Sequence, residues 1–394
     1  MIPVPEALSR VLALAHAPRP EILPLDRAAD RVLLEPATAR LTQPPFDAAA
    51  MDGYALRRAD GDGPLRVIGE AAAGHPWRGQ VQPGSAIRIF TGAPVPEGYD
   101  CVAMQENVTR DGDEIRIHTL SPNDNIRLRG NDFAAGDVIA AGRHLGAPDI
   151  GLLAAMNVPQ VTVAARPRVA IMAGGDELVR PGTDPADGQI ICSNDLAIAA
   201  LAQEAGAEVT ILPIARDTEA SLRDNFSTAQ GSDLIVTIGG ASVGDHDLIG
   251  KVTGDLGMER AFYKLAMRPG KPLMAGRLGD GAMLGLPGNP VSAIVCGILF
   301  MQPLIRRMQG LPARHLTRRA RLAHPVRAEG ERQHYLRARL SEGDDLPRID
   351  PFGDQDSARL GLMAQADALL IRPAGDPARN AGDVVEYIPL GGDF

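Results

Sequence analysis

Between Arg168 and Gly240 the chain repeats one unit, and that repeat limits its fold more than any other feature. The β-branched runs RVAIMAGG (168–175), EVTILPIA (208–215) and DLIVTIGG (233–240) alternate with SNDLAIAALAQEAG (193–206) and TEASLRDNFSTAQG (218–231). In the intervening stretches apolar residues recur at every third and fourth position, which is helical spacing. A strand followed by a helix and another parallel strand must cross back over the sheet, so the repeat predicts a doubly wound α/β domain with helices on both faces of a parallel sheet. RAFYKLAM (260–267) and GAMLGL (281–286) are the last strand candidates, and PVSAIVCGILFMQPLIRRMQG (290–310) closes the block as a long apolar helix.

Around this block the rhythm changes. PVPEALSRVLALAHA (3–17) spaces Leu8, Val11 and Leu12 as one face of a helix behind Pro5, a residue suited to a first turn. From Arg19 to about Gly136, short apolar runs broken by Gly and Pro, among them LRVIGEAAAG, SAIRIFTGAPVPEG and DEIRIHTL, predict a β-rich second region. DIGLLAAMNV (149–158) predicts a short helix. Beyond Leu311 the strands HYLRARL, ADALLI and DVVEYIPL predict a small C-terminal β domain. The basic run RHLTRRARLAHPVR (314–327) reads as a solvated linker or edge strand.

Composition excludes several function classes. A formal charge of −9 opposes broad contact with nucleic acid or an anionic bilayer, and 4% aromatic content is too thin for a base-stacking platform. No apolar run is read as reaching the ~18 residues of a membrane span. Pro3, Pro5, Glu6 and Arg10 interrupt what a signal peptide would keep apolar, so cytoplasmic residence is expected. Cys101, Cys192 and Cys296 lack any CxxC or Cys/His spacing, which predicts buried thiols rather than disulfides or a zinc site.

In a doubly wound sheet the ligand crevice lies beyond the carboxyl ends of the strands. Acids follow each predicted strand there: Asp176 and Glu177 after the first, Asp217 after the second, Asp245 and Asp247 after the third. Carboxylates gathered on one rim repel one another unless a cation sits among them, and hard oxygen donors select magnesium over zinc. The glycines of GGASVGDHD (239–247) let backbone N–H groups approach an anion. Carboxylates, Mg2+ and an amide nest together describe a phosphate or pyrophosphate site. Any one of these features alone is ordinary turn and cap chemistry, and GGASVG matches neither GxxxxGK[ST] nor GxGxxG. KLAMRPGKP adds Lys264, Arg268 and Lys271, either solvated on a surface turn or directed at oxyanions. LGLPGNP (284–290) makes a rigid turn in which Asn289 reads as a helix cap and Pro290 as a first-turn residue.

AMDGYA (50–55), TGAPVPEG (91–98), GDEL (175–178), GGASVGDHD, RPGKP (268–272) and GLPGNPVSA (285–293), in that order, resemble the MoeA family of molybdopterin molybdenumtransferases and the related E domain of gephyrin. The resemblance spans essentially the whole chain. It implies insertion of molybdenum from molybdate into adenylylated molybdopterin, with Mg2+ required and AMP released. It also implies an α/β multidomain fold: a molybdopterin-binding-like α/β domain (1–18 plus 166–310), a linking domain (19–40 plus 137–165), a β-rich domain (41–136) and a C-terminal β-barrel-like domain (311–394).

Carried over position by position, the resemblance makes Asp52, Asp176, Glu177, Asp217, Asp247 and Lys271 catalytic, with Glu177, Asp217 and Asp247 as metal ligands. Thr91, Asp132, Ser193, Asn194, Gly240, Ser242, Gly244, Arg268, Pro287, Gly288, Asn289 and Pro290 become substrate-binding. A homodimer with shared active sites and contact with the molybdopterin adenylyltransferase are further implications. The chain departs from the family pattern at Ala48-Ala49, Ala173-Gly174, Arg268 and Asn131, where relatives usually carry Asn-Ser, Ser-Thr, lysine and glutamate. Two other functions compete: the adenylyltransferase of the preceding step, and a non-catalytic scaffold. The β-rich regions speak against the first and the acidic rim against the second.

Overall fold

The computed structural model describes residues 1–239, 248–313 and 317–391. The chain forms two compact units, Met1–Glu21 with Ala164–Phe394, and Ile22–Val163.

The first unit is built on a six-stranded sheet. Its strands are β1 (Arg168–Ala173), β2 (Glu208–Ile211), β3 (Leu234–Ile238), β4 (Glu259–Lys264), β5 (Pro272–Leu278) and β6 (Gly281–Leu286), in the order β2-β1-β3-β6-β5-β4. The first four in that order run parallel, with Ile211, Ile171, Val236 and Leu284 in one row across them. Side chains alternate between the faces. Val169, Ile171, Leu234, Val236, Ala282 and Leu284 enter one core cluster, whereas Ala170, Met172, Ile235 and Met283 enter another. Burial on both faces explains why these strands read as unbroken apolar runs.

Two features differ from the sequence expectation. The sheet is mixed, because β5, which was not expected as a strand, runs antiparallel to both β4 and β6. A two-residue Gly279-Asp280 turn makes β5 and β6 a hairpin, with Leu278 opposite Gly281 and Gly279 at φ +59°. Pro269 and Gly270 before β5 and Pro272 at its first position concealed it. The second difference concerns the long helix. By length and composition Pro290–Met308 could cross a membrane, contrary to the reading above, but 89% of it is buried within the protein. Pro303 lacks an N–H to continue the helical ladder, and residues Gly297–Met301 adopt a π-helical turn just before it.

Helices α1 (Val4–Leu12), α2 (Asn194–Glu204), α3 (Glu219–Thr228), α4 (Leu248–Asp255) and α5 (Pro290–Met308) flank the sheet. α1 contributes Val4, Ala7 and Val11 to the same core as Ile198 and Ala202 of α2 and Leu299, Leu304 and Ile305 of α5. Asp195 of α2 is fully buried and pairs with Arg180, whose guanidinium also reaches Leu212 O at 2.8 Å.

The C-terminal region of this unit closes on itself. β7 (Arg318–Leu322), β8 (Gln333–Ser341), β9 (Arg348–Pro351), β10 (Ala368–Arg372) and β11 (Val384–Pro389) pair in the circuit β8-β9-β7-β11-β10-β8, a closed five-stranded barrel. The basic run expected as a linker or edge strand therefore contains β7, which has a partner on each side and buries Ala320 and Leu322. The barrel interior holds Leu336, Leu370 and Tyr387, while their neighbours Tyr335, Leu369 and Ile388 point outward into the core of the α/β domain.

The second unit contains a curled six-stranded sheet in the order Cys101–Met104, Gly53–Leu56, Ser85–Ile89, Leu65–Ala71, Glu114–Ile117, Val108–Asp111. Tyr54, Leu56, Ala86 and Cys101 line one face and Ala55, Ile87, Ile89 and Val102 the other. A separate core gathers Leu23, Leu33, Leu145, Leu153, Met156 and Val163 around the helix Ala147–Ala155. All three cysteines are buried and free; burial pushes the Cys101 and Cys192 thiols up to about 11.

Gly53 of the MDG sequence sits between two neighbouring strands, opposite Ile89 and Met104, with the Ala103 carbonyl so close that a Cβ would overlap its oxygen. Backbone cannot yield as a side chain can. Gly53→Ala is expected to destabilise the protein by about 3 kcal/mol, the upper range for overpacking, as measured by chemical denaturation; an unchanged midpoint would show that the strands can separate at no cost.

Candidate functional site

The parallel strands deliver their last residues to one rim. Backbone bonding continues past the strands: Gly174 N–H donates to Ile238 O at 3.1 Å, Gly175 N–H to Ala215 O at 3.1 Å, and Gly239 N–H to Leu286 O at 3.2 Å. β1 leads through α2 to β2 on one side, while β3 leads away toward β6 on the other, so the chain reverses direction between β1 and β3. Such a switch point leaves a crevice above the strand ends. The backbone at Gly239 favours glycine, with φ +83° and only 3.0 Å between an added Cβ and Gly174 O, while Gly288 lies beside it at ordinary contact distance, its Cβ position 3.5 Å from Gly239 Cα.

Around these glycines stand several residues singled out in the sequence. Asp176 and Asp217 meet through the parallel ends of β1 and β2: Asp217 N–H donates to Asp176 Oδ1 at 3.2 Å, and Arg216 Nη1 donates to Asp176 O at 3.2 Å. Glu177 folds back over Gly175. All three acids are exposed. Ser193 and Asn194 begin α2, and Asn194 Nδ2 donates to Gly288 O at 2.7 Å. Pro287 is buried, and Pro290 takes the first turn of α5 as expected. Asn289 does not cap that helix with its side chain; its Nδ2 instead donates to Ser357 Oγ at 3.1 Å. Ser357, from a remote part of the chain, also accepts through its carbonyl the Val291 N–H that a side-chain cap would have bonded, which local sequence cannot reveal.

Gly240, Ser242, Gly244, Asp245 and Asp247 lie outside the described residues. Among the described residues no group of three or more His, Cys, Asp or Glu side chains is gathered to hold a metal. Of the five carboxylates expected on the rim, Asp176, Glu177 and Asp217 lie among the described residues, and Asp176 meets the Asp217 amide. Their donor type suits Mg2+, which commonly takes only one or two carboxylates and completes its shell with water and substrate phosphate oxygens.

The cationic residues occupy a different turn. Gly270 has φ +101°, and a Cβ there would press to 2.6 Å from Cys296 Sγ of α5, so glycine seats the turn that carries Arg268 and Lys271 against that helix. Arg268 pairs in register with His334 of β8, and both Arg268 and Lys271 are exposed. Burial pushes the His334 imidazole below its ordinary range; Glu329, 3.1 Å from Nδ1, opposes this, while the charges of Arg268 and Arg332 add to it. Arg332 thus joins Arg268 in one positive field, and no local motif announced it.

In the second unit, Asp52 and Thr91, far apart in sequence, form one cluster. Thr91 donates to Asp52 Oδ1 from its backbone N–H and from its hydroxyl, each at 2.7 Å. The backbone bond first and the hydroxyl second hold the Asp52 carboxyl below the usual range, with Arg88 assisting. Arg88 lies 4.6 Å over the Phe90 ring and 5.2 Å over Tyr54, and its Nη1 reaches Gly53 O at 3.1 Å. Sequence reasoning missed Arg88, whose only sign was its alternation with buried strand residues. Asp132 is exposed, and its N–H donates to Gln43 O at 3.0 Å; it shares no bond with Asp52 or Thr91 among the described residues.

The chain matches three family models in succession: the MoeA N-terminal region (domain I and II) over residues 2–157, a probable molybdopterin binding domain over 170–307, and the MoeA C-terminal region (domain IV) over 319–390. It is 36% identical over 386 residues to the molybdopterin molybdenumtransferase of Nostoc sp., covering 94% of this chain and 88% of the relative. It is 38% identical over 317 residues to that of Haemophilus influenzae, covering 79% of this chain and 78% of the relative. The crystal structure of the molybdopterin biosynthesis moeA protein from Pyrococcus horikosii superposes with a TM-score of 0.84 at 30% identity, covering 100% of both chains.

Thr91→Val removes the hydroxyl donor to Asp52 and leaves the backbone N–H. The Asp52 carboxyl, followed by NMR, is expected to titrate at a higher pH than in the parent. A lowered carboxyl pKa contributes stability above its unfolded value that is lost as pH falls through the folded one, so this contribution also shrinks in the variant. An unmoved titration would show that the hydroxyl has no hold on the carboxylate.

Proposed function

The chain belongs to the MoeA family, and on that premise we propose that it is a transferase of molybdenum cofactor biosynthesis that inserts molybdenum into adenylylated molybdopterin. Molybdate supplies the metal and AMP leaves when the phosphoanhydride breaks. The observation that carries this reading is the meeting, at one set of strand ends, of exposed Asp176 and Asp217, the Asn194–Gly288 contact and the glycines Gly174, Gly175 and Gly239.

In this reading the glycine backbones admit the diphosphate close to the sheet, where a bulkier residue would hold it away. The Mg2+ ligands would come from Glu177, Asp217 and Asp247, with Asp176 beside them, and the ion when bound offsets the negative charge of the diphosphate. Lys271 and Arg268 supply positive charge for oxyanions, the lysine as a point charge and the arginine as a planar fork. Asp52, kept ionised by Thr91, is an acceptor for substrate donor groups. Both clusters serve turnover, with Ser193, Asn194, Asp132, Gly240, Ser242, Gly244 and the 287–290 turn as substrate contacts. Homodimerisation with shared active sites, contact with the adenylyltransferase and cytoplasmic residence belong to the same reading. The matches on both flanks of the α/β domain favour it over the adenylyltransferase reading.

Purified protein given adenylylated molybdopterin and Mg2+ is expected to release AMP faster with molybdate than without it, and chelation should stop release until Mg2+ is restored. Release only from ATP and free molybdopterin would instead identify the preceding enzyme. Lys271→Ala and Asp217→Asn should each lower kcat/KM by about a hundredfold, the usual size of losing one charge-stabilising group; full rates in both would remove these residues from the site.

A further inference from the structure

Arg337 is a charged side chain only 1% exposed, and its guanidinium bonds lead to neutral oxygens of one segment. Nε reaches Gln355 Oε1 at 3.3 Å, Nη1 reaches Arg359 O at 3.2 Å and Nη2 reaches Asp354 O at 3.4 Å. The main chain of the same residue completes a clamp. Its N–H donates to Gln355 Oε1 at 3.0 Å, its carbonyl accepts from Gln355 Nε2 at 3.0 Å and from Phe352 N–H at 3.0 Å, and Gln355 Nε2 also reaches Phe352 O at 2.8 Å. Burial opposes the charge, while Asp354 and Asp356 support it. An apolar residue of similar length would avoid that desolvation cost, so stability alone is a poor reason for an arginine at this position. Its fork instead fixes the path of residues 352–359.

That segment touches the rim. Ser357 O accepts Val291 N–H at 3.1 Å, in the first turn of α5, and Ser357 Oγ accepts Asn289 Nδ2 at 3.1 Å. Asn194 holds the same turn from the opposite side through Gly288 O at 2.7 Å. The Gly288-Asn289 turn is thus gripped between the start of α2 and a loop that the barrel strand β8 secures through Arg337.

We propose that Arg337 is a positioning residue for the reaction: it holds the 352–359 segment so that Ser357 fixes the Gly288-Asn289 turn at the strand-end crevice. This rests on the functional reading given above, because it makes the geometry of that turn a determinant of turnover. It adds to it a dependence of the α/β site on the C-terminal barrel through a single buried side chain.

The test compares the full chain with Arg337→Met, Arg337→Lys, Ser357→Ala and the Arg337→Met/Ser357→Ala double variant. Hydrogen exchange of the peptide containing Val291 is read alongside molybdate-dependent AMP release. Arg337→Met is expected to speed exchange at Val291 and lower kcat about tenfold, since small misplacements at a site cost rate out of proportion to stability. Arg337→Lys, which retains charge and stem but loses the fork, should move both in the same direction, and it carries the test if the methionine variant does not fold. The double variant should lose less than the product of the two single losses, because both act through one loop. A purely structural arginine would leave Val291 exchange unchanged in the folded variants or give losses that multiply, and either result overturns the proposal. If the parent chain itself releases no AMP, the functional reading fails, while the exchange measurement still decides whether Arg337 holds the turn.

Discussion

At the ends of β1 and β3 the main chain comes together more closely than a side chain at Gly239 would readily permit. Gly239 lies against the Gly174 carbonyl, with only 3.0 Å left for a Cβ, and Gly288 approaches Gly239 in turn. Everything else at the crevice is arranged around that approach. Backbone bonding that continues beyond the strands, through Gly175 and Ala215, brings Asp176 beside the Asp217 amide, and the turn after β6 sets Gly288 within reach of Asn194. A side chain at Gly239 would press on the Gly174 carbonyl and strain the φ +83° turn beside the acids.

The sheet makes this geometry affordable because it is anchored on both faces. Ile171, Val236 and Leu284 bury on one side and Ala170, Ile235 and Met283 on the other, so the strand ends are held by packing that does not depend on the rim itself. The α5 helix and the barrel extend the same core: Tyr335, Leu369 and Ile388 of the barrel join Leu304 and Ile305 of the helix. A polar line from Arg337 to Asn289 runs beside this apolar contact, tying the barrel to the turn at the crevice.

Much of this was legible in the sequence because its signals are local. The βα repeat marked β1, β2 and β3, whereas AMDGYA stood out only as part of the family resemblance; the Ala103 carbonyl against Gly53 shows the backbone constraint that its glycine meets. Contacts between remote segments left no such trace. β5 hid behind PGKP, β7 read as a solvated run because four of its residues are charged or short, and Asn289 read as a cap because Ser357 lies far along the chain. Arg88 and Arg332 stayed silent for the same reason: each acquires meaning only from neighbours that tertiary structure supplies. Asp52 and Thr91 were named through family resemblance, and the paired 2.7 Å bonds between them give that resemblance a physical content.

The most direct test is a crystal structure of the protein with Mg2+ and a non-cleavable analogue of the adenylylated pterin. The account predicts that the diphosphate lies over Gly174, Gly175 and Gly239, with the carboxylates of Asp176 and Asp217 turned toward the ion. Phosphates bound at the opposite ends of the strands, with both of those side chains left in solvent, would contradict it.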